Sequence, residues 1–582
     1  MSRLALRTSQ LLTLCRQCVP HARRLPQSRL RYLSTATVDS VADSAPIFAD
    51  LQKSQKRALK DRHKGAHPSS SFSEGDWEVT CGLEVHTQLN TKTKLFSYAK
   101  TSITAAPNTC ISFIDAALPG TQPTLNPAIL LPALRAVFAL ECTPAKVSRF
   151  DRKHYFYWDQ PAGYQITQFY EPLAKNGRLV LTPDADGVDK RLELKIRQIQ
   201  IEQDTGKTIA APPNSLVDLN RVGSPLIEII TDPFPLDSAE TAGKVLAKIQ
   251  AVLRAVDACV VGMEWGGLRA DVNVSVRRRG DPNTLLGQRC EIKNLSSFKA
   301  VTDAITSEAA RQIEILEAGG TIEGETRGWD NEKSTTRRLR GKEGEVDYRY
   351  MPEPDLPPIC LTSEALEAVK KDMPLLPDQI ITQLTDVFGL SPKDARTLLL
   401  WDEGRSGHPD SVISYYKNVV GLIQSAPGVG KIVGNWVIHE LGGLITTHGL
   451  SWQKNPVGKK RLADLVSLIV NGKITNPTAK ALLPRLFTDK RIPAEIVEAE
   501  NLGIKEMSRN ELETIIKEAL DTDRGRDVLK QLVEMKGDDS KAAEKKKKGL
   551  RGFVLGGVMR SQGGKVKADQ VESALDSLLE KL

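Results

Sequence analysis

The alternation of apolar and polar positions divides the chain into a strand-rich front part and a helix-rich back part. In residues 269–277, alanine and valine alternate with polar side chains, as in a strand with one buried face and one open face. Helical periodicity interrupts the front part at about 127–140, 238–255 and 299–317. After the proline-rich segment 352–358 the pattern is helical almost to the C-terminus. The sequence therefore predicts an α+β protein, with an antiparallel sheet first and helices afterwards.

Changes in this pattern predict five segments along the chain. We expect a leader, a polar linker, an antiparallel-sheet domain, an all-helical domain and a helical tail domain, at residues 1–33, 34–75, 76–360, 361–432 and 433–582. Within the tail, residues 536–548 end in four consecutive lysines, and we interpret them as a charged loop.

The leader changes how the net charge is interpreted. Residues 1–33 contain seven arginines and no Asp or Glu, a composition typical of a mitochondrial transit peptide; a disordered basic tail is the alternative. The whole chain has 80 basic and 72 acidic residues, and removal of the leader leaves 73 basic residues against 72. Bulk charge is therefore no argument for a nucleic-acid partner.

The six cysteines beyond the leader are scattered without metal-ligand spacing, which fits a reduced protein of the mitochondrial matrix.

One strand pattern places an acid beside a histidine, and a second places two acids on one face. On a strand through residues 82–89, Glu84 and His86 share one face, and Glu202 and Asp204 share a face of a later strand. A carboxylate and an imidazole on a rigid strand can bind a divalent cation. A solvated polar face is the alternative for the first strand.

Two further strands carry charged residues that need partners. Glu228 lies alone in an apolar run, where a carboxylate is costly unless it is paired or binds a metal; an exposed edge strand is the alternative. Arg289, Glu291 and Lys293 share a face, and a cross-strand salt bridge is the alternative there. Acids and a histidine on separate strands, with bases nearby, indicate an oxygen-rich Mg²⁺ site for a nucleoside triphosphate.

Segment 151–159 combines basic and aromatic residues. It contains Arg152 and Lys153, followed by four consecutive aromatic residues between an Asp at each end. This combination suits phosphates, nucleobases or a tRNA end, and an aromatic core strand is the alternative. The nearby Gly-Lys-Thr at 206–208 is not a P-loop, because two alanines and two prolines follow it instead of a helix.

These segments resemble the B subunits of glutamyl-tRNA(Gln) amidotransferases. The resemblance covers about residues 76–582. Six motifs occur in the order of that family: GLEVHTQLNTKTKLFS (82–97), FDRKHYFYWDQPAGYQITQF (150–169), SLVDLNRVGSPLIEI (215–229), LRADVNVSVR (268–277), EIKNLSSF (291–298) and DYRYMPEPDLPP (347–358).

The resemblance implies a reaction and an architecture. ATP and Mg²⁺ would phosphorylate the side-chain carboxylate of Glu-tRNA(Gln), and ammonia would then displace the phosphate to give Gln-tRNA(Gln). The fold would be a cradle on an antiparallel sheet, then a helical domain, then a tail domain that contacts tRNA. The sequence contains neither a Gly-Ser-Ser-Gly amidase signature nor a convincing nucleophilic cysteine. Ammonia would therefore come from the A subunit, an amidase (glutaminase), in a heterotrimer that also contains a small linking subunit.

The resemblance also assigns site residues. The metal and ATP site, which is also the catalytic site, would comprise Glu84, His86, Glu202 and Glu228, with Lys153 as a phosphate contact and Asp204 and Glu291 as weaker members.

Two departures from the family pattern affect these assignments. Many members look to have Glu where Gln203 stands, which would remove one carboxylate. The cysteine pairs suited to zinc are replaced by Ser97, Ala99, Ser112 and Asp115, so we expect no structural zinc.

Two other functions remain open at this point. A non-catalytic tRNA-binding scaffold would have lost its metal site, as Gln203 suggests, although the four acid and histidine positions are intact. An amidotransferase acting on Asp-tRNA(Asn) is the second, and no residue that we can name decides between the two tRNAs.

Overall fold

The structure is a computed structural model, and it describes residues 72, 75–211, 213–259, 262–281, 286–341, 348–402, 411–423, 427–505, 507–535 and 541–581. The leader, and the linker apart from residues 72 and 75, lie outside the described residues. The chain divides into two compact units, Met1–Leu376 and Pro377–Leu582.

A ten-stranded sheet organises the first unit. Its strand order is β15-β14-β13-β12-β1-β10-β7-β6-β2, with β11 paired to β1. A three-stranded sheet has the order β16-β4-β5, and two further sheets pair β17 with β3 and β8 with β9. The strands are β1 Trp77–Gln88, β2 Thr143–Pro144, β3 Val147–Ser148, β4 Asp151–His154, β5 Tyr164–Thr167, β6 Ala174–Leu181, β7 Leu192–Gln203, β8 Lys207–Ala211, β9 Asn214–Asp218, β10 Pro225–Thr231, β11 Phe234–Leu236, β12 Leu268–Arg278, β13 Cys290–Leu295, β14 Glu325–Asp330, β15 Thr335–Gly341, β16 Met351–Pro352 and β17 Ile359–Cys360.

The sheet is mixed, which corrects one part of the fold prediction. Its strands pair antiparallel except for β13 and β14, which run parallel. A parallel pair requires a crossover, and a helix that the sequence predicted, at about 299–317, lies between these two strands. The α+β class itself is confirmed.

Helices pack against one face of the sheet. The hydrophobic core of the unit lies between these helices and the sheet. Among the described residues of this unit, the α-helices are α1 Leu130–Ala139, α2 Pro183–Asp186, α3 Ala239–Ala255, α4 Phe298–Glu317 and α5 Ser363–Lys371. Ser297 caps α4 by accepting a hydrogen bond from the backbone N–H of Ala300. The apolar residues of β1 and β12 are buried in one cluster with those of α1, α3 and α4. The polar residues that alternate with them face the other way.

The second unit is helical in its described residues. Its helices are α6 Pro377–Thr382, α7 Pro392–Asp402, α8 Val412–Leu422, α9 Val429–Asn435, α10 Gly442–Thr447, α11 Lys459–Val470, α12 Asn476–Leu482, α13 Pro493–Ala499, α14 Arg509–Leu520, α15 Asp523–Glu534, α16 Lys541–Ser561 and α17 Ala568–Lys581. In the described part of the chain, no helix is both long and apolar enough to cross a bilayer.

The buried clusters of the structure begin and end at other residues than the domains predicted from the sequence. Val369 of α5 belongs to the core of the first unit, whereas the sequence placed this helix in the helical domain. One buried cluster then runs from Ile380 to Val497, and another from Leu512 to Leu578. The interpretation of 536–548 as a loop was wrong for its described part, because α16 begins at Lys541.

Candidate functional site: an acid and histidine cluster on the open face of the sheet

Strand register brings the candidate residues to the open face of the sheet. His86 of β1 pairs with Glu228 of β10, and Glu228 pairs with Gln200 of β7. On the other side of β1, Glu84 pairs with Asp271 of β12. Directly paired residues project to the same side of a sheet. Five neighbouring strands, β13, β12, β1, β10 and β7, therefore present their polar side chains together.

Three of the predicted residues form one cluster, which we call the acid–histidine site: His86, Glu202 and Glu228. The Nδ1 atom of His86 lies 3.9 Å from Oε1 of Glu202, and its Nε2 atom lies 4.0 Å from Oε1 of Glu228. One ligand atom from each residue fits within a 4.8 Å span. Glu202 and Glu228 are 2% and 6% exposed. The edge-strand alternative for Glu228 was wrong, because β10 lies between β1 and β7.

The two buried carboxylates have unequal sets of partners. Gln200 donates to Oε2 of Glu228 at 2.6 Å, and Gln165 donates to Oε1 of Glu202 at 3.4 Å. Oε2 of Glu202 is buried without a hydrogen-bond partner, and Nζ of Lys153 lies 3.6 Å from it. A buried carboxylate needs positive charge beside it; Lys153 supplies that charge here, and a bound cation would also supply it.

The charge states of the site follow from burial and from Lys153. Burial raises the pKa of Glu228, and the nearby charge of Glu202 raises it further. Burial acts in the same direction on Glu202, but Lys153 and His86 hold the pKa of that carboxyl below its usual range. Burial disfavours the charged form of Lys153, yet Glu202 and Glu228 raise its pKa. Lys153 is therefore a charged amine beside two carboxylates at neutral pH.

Glu84 belongs to a second group, not to the acid–histidine site. Its carboxylate lies with those of Asp271 and Glu291 within 4.8 Å, and we call these three residues the second carboxylate cluster. Side chains two positions apart on a strand are separated by roughly 6.8 Å, so Glu84 and His86 serve different neighbours. Lys293 lies 2.7 Å from Asp271 and 2.9 Å from Glu291. Lys293 thus makes the cross-strand salt bridge of the alternative interpretation with Asp271 of β12, and it also pairs with Glu291 of its own strand.

Asp204 and Gln203 lie in different environments. Asp204 pairs with Arg269 at 2.8 Å and with Arg221 at 3.7 Å, so it is a partner of arginines at the edge of the site. Gln203 accepts a hydrogen bond from the backbone N–H of Ile166 at 3.2 Å. Because neighbouring residues on a strand face opposite sides, Gln203 is not a member of the acid–histidine site. Its departure from the family pattern therefore removes no carboxylate from this cluster.

A cavity of about 620 Å³ is lined by residues from both the acid–histidine site and the second carboxylate cluster, whereas Glu84 lines a separate cavity of about 320 Å³. His86, Glu202 and Asp204 line the larger cavity, together with Asp271 and Lys293. Its volume falls within the range of roughly 300–1,000 Å³ of small-molecule sites.

Sequence reasoning missed several residues of this cavity. Asp271 and Arg269 lie on the polar face of a strand whose alternation was recognised, so the signal was present. Tyr348 also lines the cavity, and its ring centroid lies 5.2 Å from Nζ of Lys153. Tyr348 occurs in the last of the six sequence motifs, far from Lys153 along the chain, and no local pattern predicts that contact.

The aromatic segment after β4 is exposed. Phe156 is 78% exposed and Trp158 is 61% exposed. The aromatic-core alternative for this segment was therefore wrong for these residues.

A buried ion pair includes Asp115, which occupies one of the positions where the family pattern often has cysteines. Nζ of Lys94 donates to Oδ2 of Asp115 at 2.9 Å, and the backbone N–H of Ser112 donates to the same oxygen at 2.8 Å. Lys94 is fully buried and Asp115 is 3% exposed. Burial lowers the pKa of Lys94, and Asp115 opposes that shift.

Comparisons with known proteins match this chain over nearly all of its length. The family model described as "GatB/GatE catalytic domain" matches residues 79–367, and the model described as "GatB domain" matches residues 415–579. The B subunit of the mitochondrial glutamyl-tRNA(Gln) amidotransferase of Emericella nidulans is 44% identical over 96% of this chain and 92% of its own length. The protein of the same name from Paracoccidioides lutzii is 46% identical over 94% and 91%.

The chain belongs to the B-subunit family of glutamyl-tRNA(Gln) amidotransferases. The catalytic-domain match contains both the acid–histidine site and the second carboxylate cluster. The resemblance stated from the six motifs is thereby confirmed.

Proposed function

We propose that this chain activates the side-chain carboxylate of Glu-tRNA(Gln) with ATP, in the role of the B protein of an amidotransferase complex. The relatives named above carry the activity in their names. The observation that carries the proposal for this chain is the acid–histidine site, of which His86 and Glu202 line a cavity together with Lys153. An intact site of this kind argues against a non-catalytic scaffold.

The donor set of the acid–histidine site fits Mg²⁺. It provides two carboxylates and an imidazole within a small span, and one buried carboxylate oxygen lacks a hydrogen bond. His86, Glu202 and Glu228 would hold the ion, and Glu84 would act nearby through the second carboxylate cluster. When bound, Mg²⁺ would offset the negative charge of phosphate groups next to a carboxylate.

The side chains around the cavity then have distinct roles. Lys153 donates hydrogen bonds to oxygens of the transferred phosphoryl group, for which its stable positive charge is suited. Asp204 positions Arg269 at the cavity wall. Glu291, with Asp271, holds the ammonium of Lys293 at the cavity wall.

The proposed reaction has two steps. A carboxylate oxygen of the glutamate takes the γ-phosphoryl group of ATP and gives γ-glutamyl phosphate and ADP. Ammonia then attacks the carbonyl carbon, the C–O bond to phosphate breaks, and phosphate leaves with one of the original carboxylate oxygens. The first step is needed because a carboxylate is a poor electrophile with a poor leaving group.

Ammonia would come from an amidase partner, and a small linking protein would complete a heterotrimer. Four of the described cysteines, Cys81, Cys142, Cys259 and Cys290, are buried and unpaired, and burial raises the pKa of each thiol. Such thiols are poor nucleophiles.

We further propose the mitochondrial matrix as the compartment, from the arginine-rich leader and the mitochondrial relatives. N-terminal sequencing of the mature protein tests this, and a retained leader would contradict it.

The variant Glu202→Gln in the reconstituted complex tests the site. It keeps the size of the side chain but removes the charge that Lys153 and His86 face. We expect ATP- and Mg²⁺-dependent amidation of Glu-tRNA(Gln) to fall at least 100-fold, roughly the effect of removing one group that stabilises transition-state charge. Glutamine hydrolysis by the partner and assembly of the complex should persist. Glu193→Gln is the matched control, because Glu193 is an exposed residue of the same strand.

An oxygen-labelling experiment tests the acyl phosphate separately. Glutamate labelled with ¹⁸O in its side-chain carboxylate is esterified to tRNA and amidated by the complex. The label should appear in inorganic phosphate, one atom for each amide formed. Normal turnover of Glu202→Gln would refute the site, whereas unlabelled phosphate would refute only the intermediate.

A further inference from the structure

Three consecutive exposed aromatic rings lie beside the cavity. Phe156 is 78%, Tyr157 49% and Trp158 61% exposed. We call these three residues the aromatic platform. Large apolar side chains that are exposed as a group, unlike single ones, mark a binding surface.

The aromatic platform is held in place by its neighbours. Nε1 of Trp158 donates to Oγ1 of Thr208 at 2.9 Å. Tyr157 stacks on Tyr155, with 4.9 Å between ring centroids and 20° between planes. Phe156 lies over Gly163, where an added Cβ would meet the ring at 3.4 Å, and the φ of Gly163 is +73°. The rings are therefore exposed but ordered, so a ligand that binds them does not have to order them first.

The aromatic platform is continuous with the cavity. Tyr155, the stacking partner of Tyr157, lines the cavity together with Lys153. Phe156 and Trp158 follow Lys153 by three and five positions. At about 3.6 Å of chain per residue, the Cα atoms of the platform lie within roughly 18 Å of that of Lys153.

We infer that the aromatic platform binds the unpaired 3′-terminal nucleotides of the aminoacylated RNA by base stacking. This inference rests on the proposed function. Since the amino acid is esterified to the last nucleotide, a glutamate carboxylate at Lys153 brings the final nucleobases to the rim of the cavity. Aromatic side chains next to basic residues are how proteins bind unpaired nucleotides.

The surroundings favour a nucleic-acid end over a protein partner. Lys207, adjacent to Thr208 on β8, is exposed. Arg221, which also pairs with Asp204, donates to the backbone carbonyls of Thr205 and Gly206 just before β8. Positive charge beside stacked rings suits a phosphate backbone.

Equilibrium binding of two RNAs to the reconstituted complex tests the inference. One probe is the full-length transcript of the cognate tRNA, and the other is the same transcript without its last three nucleotides. We expect Trp158→Ala to weaken binding of the full-length RNA about tenfold, a typical effect of losing one stacked base. Binding of the shortened RNA should not change. Trp158→Phe, which keeps an aromatic ring, should restore most of the affinity.

Tyr98→Ala serves as the control, because Tyr98 is 86% exposed and lies outside the platform and the cavity. It should leave both affinities unchanged. Equal loss for both RNAs, or no loss for either, would overturn the inference. Release of a partner protein from the complex in Trp158→Ala would also overturn it and would identify the surface as a protein interface. These binding measurements need no turnover, so they stand apart from the test of Glu202.

Discussion

His86 and Glu228 occupy directly paired positions on neighbouring antiparallel strands, and 4.0 Å separates Nε2 of His86 from Oε1 of Glu228. The pairing register, not a flexible loop, thus sets the width of the acid–histidine site. A shift of one residue in either strand would turn one of the two side chains into the helix-covered core.

Glu228→Gln should separate binding of the ion from folding. The amide oxygen can still accept the hydrogen bond from Gln200, while the buried negative charge disappears. We expect millimolar Mg²⁺ to raise the melting temperature of the wild-type protein but not that of the variant, because a ligand stabilises only the state that binds it. Thermal denaturation with and without Mg²⁺ measures this. An equal Mg²⁺ effect on both proteins would place the ion elsewhere.

Lys153→Met should remove the proposed contact with the phosphoryl group. We expect kcat for amidation to fall about 100-fold or more, with the affinity for tRNA unchanged, because the amine acts on phosphate oxygens. Lys153→Arg, which keeps the charge, should retain more activity than Lys153→Met. Lys146→Met is the control, since Lys146 is an exposed lysine a few residues earlier. Steady-state kinetics decide, and a kcat near that of the wild type in Lys153→Met would contradict the role.

Glu308 should make the stability of the first unit sensitive to acid. This buried carboxylate accepts hydrogen bonds from Arg311 and Thr336 and lies 3.1 Å from Arg327. Burial raises its pKa, but these donors more than offset that and hold the pKa below its usual range. Its stabilisation is therefore full above the unfolded-state pKa of about 4.3 and is lost as the pH falls through the lower folded-state pKa.

Glu308→Gln removes the buried negative charge that Arg311 and Arg327 share, while Arg327 keeps its ion pair with Glu325. At pH 7 we expect a loss of about 3–5 kcal/mol in the free energy of unfolding. The difference from the wild type should shrink below about pH 4. Denaturation at a series of pH values measures this, with the exposed Glu314→Gln on the same helix as control. A difference that does not depend on pH would show that the charge of Glu308 is not the cause.

Lys94 and Asp115 should show strong coupling in a double-mutant cycle. Lys94→Met alone leaves the carboxylate of Asp115 buried without its cation and should cost about 3–5 kcal/mol. Adding Asp115→Asn removes that charge while an oxygen still accepts from Ser112, so the double variant should recover part of the loss. Unfolding free energies of the four proteins test this. If the changes in unfolding free energy of the two single variants add up to that of the double variant, the two residues are not coupled. Metal analysis of the wild type should find no stoichiometric zinc.

The lysine run at the start of α16 should contact RNA phosphates. Point substitutions test this better than a deletion of residues 545–582, which would also remove Val554, Val571 and Leu578 from a buried cluster. Replacing the exposed Lys546 and Lys548 with Ala should weaken tRNA binding several-fold. Each lost phosphate contact should reduce the salt dependence of binding by about one in log–log slope. Lys190→Ala, on the first unit, is the control; unchanged tRNA affinity would count against a role in binding.

The sequence predicted what depends on local periodicity. The faces of β1, β7 and β12 followed from alternation, and the helices α1, α3 and α4 of the first unit followed from helical spacing. The sequence did not predict which strands would be neighbours, and this decides that Glu84 joins Asp271 while His86 joins Glu228. The charged composition of residues 536–548 indicates a loop, but the apolar residues that anchor α16 come later in the helix.

The open face of the sheet takes its side chains from strands that run from β1 to β13, more than two hundred residues apart in sequence. The acid–histidine site is complete once β1, β10 and β7 are paired, but the second carboxylate cluster also needs β12 and β13. A chain that ends before β13 would therefore lack the second carboxylate cluster of the proposed site.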